Sequence, residues 1–89
     1  MANIFELGKI VITANAKSVL SDIDVNMALA LHTVCDWGDL DDEDRERNDR
    51  AVHNGDRLFS AYHDCTGNKF WIITEADRSY TTVMLPEDY

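Results

Sequence analysis

Basic side chains are scarce in this chain. Lysine and arginine together number eight among 89 residues, against seventeen aspartates and glutamates, for a formal net charge of −9. Such a balance repels nucleic acid and attracts basic surfaces. Proline occurs once and glycine four times, too few for a linker or a low-complexity segment. The longest apolar stretch, Met27 to Leu31, is far too short to cross a bilayer. Met1 to Glu6 lack the basic start and apolar core of a secretion signal, and Ala2 excludes myristoylation. These absences predict a cytoplasmic protein. Only two cysteines are present, Cys35 and Cys65, and outside an oxidising compartment they are expected as free thiols.

What the chain does have is enough apolar material for one small core. Hydrophobic residues make up 45%, which places the chain outside the disordered class. No internal repeat or compositional break divides it, so residues 1–89 are expected to form a single α+β domain.

The pattern along the chain predicts the elements. Ile4–Thr13 is rich in β-branched residues and reads as a first strand, with Gly8 as a bulge or bend. Thr13 then caps a short helix over Ala14–Leu20. Ser21 and Asp24 form a capping box, or Asp24 caps alone, before a helix over Val25–Asp36. Its stripe of Val25, Ala28, Leu29, His32 and Cys35 adjoins a second of Met27, Leu31 and Val34, so a broad buried face is expected. Asp39 or Asp41 caps a third helix reaching about His53, with Gly55 as its stop. Beyond it, Arg57–His63, Lys69–Glu75 and Tyr80–Leu85 alternate as a meander, with turns at Cys65–Asn68 and Ala76–Ser79 and a stop at Pro86. The expected architecture is an antiparallel sheet of about four strands with two or three helices on one face.

The run Asp36–Arg50 holds eight carboxylates against three arginines, a net −5. An EF-hand reading fails. From Asp39, Asp44 occupies the position that needs glycine and Arg50 that of the bidentate glutamate; from Asp22, Met27 and Thr33 break it in the same way. Two readings remain: a solvated helix start, where Asp and Glu serve capping and the helix dipole, and a docking surface for a basic partner. In the second, Asp39, Asp41, Asp42, Glu43, Asp44, Glu46 and Asp49 stand in for backbone phosphates. Trp37 is expected to pack at the sheet edge with Leu40. One of Phe70 and Trp71 faces the core and the other faces away, and an outward Trp71 offers an aromatic anchor.

His32, Cys35, His63 and Cys65 are the only zinc candidates, but H-x2-C and H-x-C match no familiar structural finger. The same residues with His53 and Asp64 offer no nucleophile beside a helix N-terminus or an oxyanion cradle. No cofactor, metal or catalytic residue is therefore assigned. Ion pairs from Arg57 or Arg78 to the acidic helix, and a pocket around Asn48, Arg57 and Arg78, are further expectations.

About half of the chain also carries a resemblance. Asp36-Trp37-Gly38-Asp39-Leu40, Glu43-Asp44-Arg45 with Asn48, Gly55, Arg57, Ser60-Ala61-Tyr62, Trp71-Ile72-Ile73-Thr74-Glu75-Ala76-Asp77-Arg78-Ser79, Thr81-Thr82 and Leu85-Pro86-Glu87 resemble a family of small bacterial proteins. Its members occur on plasmids, prophages and chromosomes and carry labels such as plasmid-related protein or type I restriction endonuclease subunit M. The resemblance implies a mobile-element context. A methyltransferase is not implied, because its Gly-rich cofactor loop and aromatic-proline motif are missing here. The expectation is a non-enzymatic acidic protein inhibiting a host nucleic-acid-binding defence protein, of anti-CRISPR or anti-restriction type. The alternative is a self-associating module using strand edges or Trp71, and a small metal protein or hydrolase comes third.

Overall fold

Local signals in the chain set most element boundaries. In the computed structural model, which describes residues 4–89, Thr13 accepts a hydrogen bond from Ala16 N and starts α1, Ala14–Val19. Ser21 accepts from Asp24 N at 3.2 Å and starts α2, Asp22–Thr33. Asp41 accepts from Asp44 N at 2.9 Å and starts α3, Asp42–Asn54. Gly55 ends α3 in the left-handed conformation, φ 75°, a geometry glycine adopts freely. The α2 helix thus begins and ends about three residues before the expected span, because Ser21 and not Asp24 is its cap.

The strands are β1 (Lys9–Ile12), β2 (Leu58–His63), β3 (Lys69–Thr74) and β4 (Tyr80–Met84), followed by a 3-10 turn at Pro86–Asp88. They form one four-stranded sheet in the order β1-β4-β3-β2. The meander is antiparallel, but β1 runs parallel to β4, Ile12 opposite Val83. The fold class is α+β as expected, while the expectation of a wholly antiparallel sheet is corrected. A strand that reaches its neighbour through a long helical crossover is free to pair in parallel.

The first strand is also shorter than Ile4–Thr13. Gly8 has φ +65°, and a Cβ there would lie 2.3 Å from the Ser79 carbonyl oxygen. The chain bends at that close approach, so pairing begins only at Lys9. Met1–Asn3, part of the segment read for a secretion signal, lie outside the described residues.

Two apolar clusters hold the elements together. Phe70, Ile72 and Val83 from the sheet meet Ala16 and Leu20 around α1 and Val25 and Ala28 of α2. A second cluster gathers Phe5, Trp37, Leu40, Ala51, Leu58 and Ala61. Helices α1 and α2 cover one sheet face, whereas α3 lies along the outer edge of β2. Asn48 of α3 donates to the Phe59 carbonyl at 2.5 Å and accepts from Phe59 N–H at 3.1 Å. Two residues on, Ala61 donates to Trp37 O and its own carbonyl accepts from Asp39 N. The outward peptide groups of Phe59 and Ala61, normally open to another chain on an edge strand, are thus occupied.

On α2, Val25, Ala28 and His32 are buried as the first stripe requires. Met27 and Leu31, expected to widen that face, are exposed instead. The sheet covers only one side of a helix lying on it, and the first stripe already fills that side.

Candidate binding surface

The seven acidic candidates do not share one role. Asp41 is the α3 cap, and Asp44 both donates its backbone N–H to that cap and pairs its carboxylate with Arg47 at 3.2 Å. Glu43 reaches Arg47 at 3.6 Å. Asp49 accepts from the Trp37 indole N–H at 3.0 Å, which fixes the buried Trp37 beneath α3. Asp39 meets His63 Nδ1 at 2.5 Å. Asp42 and Glu46 face solvent with no polar partner among the described residues. Arg45 folds back onto the Leu40 and Gly38 carbonyls, at 2.9 and 2.8 Å, and so braces the loop. The negative surface therefore survives folding, but five of its seven members also have partners within the fold.

Tertiary packing enlarges that surface in a way the run of residues 36–50 does not show. The tip of the β2–β3 hairpin, His63-Asp64-Cys65, lies between Asp39 and Asp24 of α2, whose carboxylate accepts from Cys65 N at 3.4 Å. Asp64 itself accepts from Thr66 and Asn68, and these bonds hold its carboxyl below the usual carboxylate range. Asp24, Asp39 and Asp64 thus meet at one end of the molecule. Asp24 was legible only as a helix cap and Asp64 only as a candidate beside the histidines and cysteines, since their placement around one hairpin tip is long-range.

Trp71 takes the outward position and Phe70 the core position. The Trp71 ring packs edge-on against Phe59 and Tyr89, at 5.1 and 5.8 Å between centroids. Arg57, Phe59, Trp71, Ile73 and Tyr89 line a pocket of about 240 Å³. The Trp71 indole nitrogen is buried without a hydrogen-bond partner. As an anchor, Trp71 is already partly covered by this chain's own Tyr89.

Arg57 and Arg78 do not bridge to the acidic side chains of α3, contrary to expectation. Arg57 pairs with Glu75 at 3.7 Å and donates to the Tyr89 hydroxyl. Arg78 donates to the Asp56, Glu75, Ala76 and Ala51 carbonyls, at 2.7 to 3.3 Å, and so ties the end of α3 to the β3–β4 turn. Asn48 faces β2. The three polar residues therefore serve separate structural bonds in place of a shared pocket.

The residues considered for zinc also part company. Among the described residues, no group of three His, Cys, Asp or Glu is placed to hold a metal ion. Cys35 is half-buried and Cys65 exposed, both free thiols. Burial, then Asp49, pushes Cys35 up; the hydrogen bond to Asp24, then its charge, pushes Cys65 up. An activated thiolate requires the opposite shift.

His32 belongs to a network that sequence reasoning missed. Its Nδ1 meets Ser60 Oγ, and its Nε2 lies 2.9 Å from Thr74 Oγ1. Thr74 Oγ1 lies 2.8 Å from Thr81 Oγ1, which donates to the Leu7 carbonyl at 2.7 Å. A carbonyl only accepts, so Thr81 donates to Leu7, Thr74 to Thr81 and His32 Nε2–H to Thr74; a neutral ring then accepts from Ser60 at Nδ1. The imidazole is neutral. Burial, then the charge of Arg78, pushes His32 down to about 3.

Comparison with known proteins adds no neighbour. No family model, curated protein or solved structure matches the chain. The resemblance over residues 36–87 therefore stands on its motifs alone.

Proposed function

We propose that the protein is a non-enzymatic acidic binding protein of mobile-element type. Its acidic end occupies a positively charged, nucleic-acid-binding site on a host defence protein in the bacterial cytoplasm, in the manner of an anti-CRISPR or anti-restriction inhibitor. The observation that carries this reading is the meeting of Asp24, Asp64 and Asp39 beside the capped, acidic start of α3. Fixed carboxylates replacing phosphates require no ordering of a flexible tail on binding. No helix of the described residues is long and apolar enough to cross a membrane.

The test is capture from bacterial lysate, with bound proteins identified and then challenged with duplex DNA. The variant Asp42→Asn/Glu43→Gln/Glu46→Gln spares the cap and the Trp37 bond. Wild type is expected to capture nucleic-acid-binding proteins that DNA displaces, with binding falling steeply as salt screens the contacts. Equal capture by the neutralised variant, or complexes that DNA leaves intact, would refute the reading.

Self-association has one observation in its favour. The Lys9 and Thr13 amides bond to β4, so the alternate residues Ile10 and Ile12 turn their peptide groups outward. Ile10 and Val11 are 40% and 38% exposed along this open edge. Sedimentation of wild type beside Val11→Lys tests it: a concentration-dependent dimer lost in the variant supports the edge, and a monomer throughout removes it.

A further inference from the structure

Helix α2 is apolar on both sides. Its inner side is core, but Ile23, Met27 and Leu31, spaced i, i+4 and i+8, are 72%, 62% and 39% exposed. Between Asp24 and Asp36 no charged residue interrupts the helix and its end, and the one titratable imidazole, His32, is buried and neutral. Helices of this kind ordinarily have both sides covered. Beside the stripe, between α2 and the β2–β3 hairpin, a groove of about 120 Å³ is walled by Met27, Leu31, Tyr62 and Phe70, with Asp24 and His63 also lining it.

We propose that this stripe and groove seat an amphipathic helix of the partner protein whose apolar face is bordered by lysine and arginine. The inference rests on the acidic-binding reading and names what that partner presents. Charge decides the occupant. From Ser18 to Asp44 there is no lysine or arginine and there are eight carboxylates. Asp24 stands at the groove, and Asp39 is held there by His63. A second copy of this chain would set that charge against itself, at a cost in repulsion, whereas a basic segment neutralises it. Spacing decides the shape: eight residues of helix extend about 12 Å, the separation of apolar anchors on two turns of a docked helix.

The probe is a fluorescently labelled leucine–lysine amphipathic peptide, followed by anisotropy at low and moderate salt, with Ile23→Ser/Met27→Ser and the Asp42/Glu43/Glu46 amide variant beside wild type. Both apolar positions face solvent, so the serine variant is expected to keep the wild-type circular dichroism and denaturation midpoint. Saturable binding weakened roughly tenfold or more by the serine variant, with part of it surviving moderate salt, supports the proposal. Equal binding by wild type and the serine variant overturns it, while loss only in the amide variant leaves the acidic reading standing. Absence of wild-type binding also overturns it, and DNA displacement of captured partners then judges the acidic reading separately. A wild-type dimer in sedimentation that the serine variant abolishes overturns it in favour of a second copy.

Discussion

Replacing His32 by glutamine should flatten the acid dependence of stability. In the folded protein the imidazole is fully buried, with both nitrogens engaged and Arg78 nearby, and it titrates at about 3 against 6.5 for the free side chain. The unfolded chain therefore binds a proton below pH 6.5 that the folded chain refuses. The stabilisation is fully present above 6.5, declines as pH falls, and stops declining near 3, where folded His32 also protonates. One pH unit corresponds to about 1.4 kcal/mol, so at ~pH 4.5 roughly 3 kcal/mol is lost. A small domain has only about 5–15 kcal/mol in total, so the effect is large. Asp64, Asp77 and Asp88, all held below their usual range, weaken the fold only below about pH 4, which keeps the upper window free of them. Urea denaturation between about pH 7.5 and 4.5 measures the slope. The glutamine variant should start lower by about 1–3 kcal/mol, since part of the network is unpaired, yet hold that value across the window. The same slope in both proteins, or an imidazole resonance of folded wild type titrating near its free value, would sink the argument.

Three further outcomes follow from local geometry. Asn48→Ala leaves the Phe59 N–H and C=O without their partners and should cost about 1–3 kcal/mol in the same denaturation assay. Asp41→Ala removes the α3 cap at about 1 kcal/mol, whereas Asp41→Asn, which still accepts from Asp44 N, should be nearly neutral. Gly8→Ala combines positive φ with a 2.3 Å approach to Ser79 O and should destabilise by more than about 1 kcal/mol, read as a lowered melting midpoint.

Elements whose causes are local were readable before the structure was known. Thr13, Ser21 and Asp41 act on amides three residues away, and Gly55 acts on its own backbone, so helix starts and stops follow from composition. The Phe70/Trp71 choice was half readable: alternation separates the two rings, but only the helices over one face decide which is buried. Long-range chemistry was not readable. Nothing near His32 in the chain announces Ser60, Thr74 and Thr81, which three different strands deliver to it. Asn48 was expected in a pocket with Arg57 and Arg78, because its actual partner, an edge-strand peptide group, is eleven residues away and defined only by the sheet. The exposed side of α2 was misread because periodicity reports apolar stripes without saying how many surfaces exist to cover them.

The two borders of the sheet have unequal consequences for assembly. Along β2, Asn48 and the Trp37–Asp39 segment occupy the outward peptide groups, while β1 offers Ile10 and Ile12. Among the described residues, strand-to-strand joining then favours the β1 border, and a two-fold pair through β1 uses up that site. Growth by this route ends at two copies. A fibre needs a donor and an acceptor border on every subunit, and this fold withholds one of them.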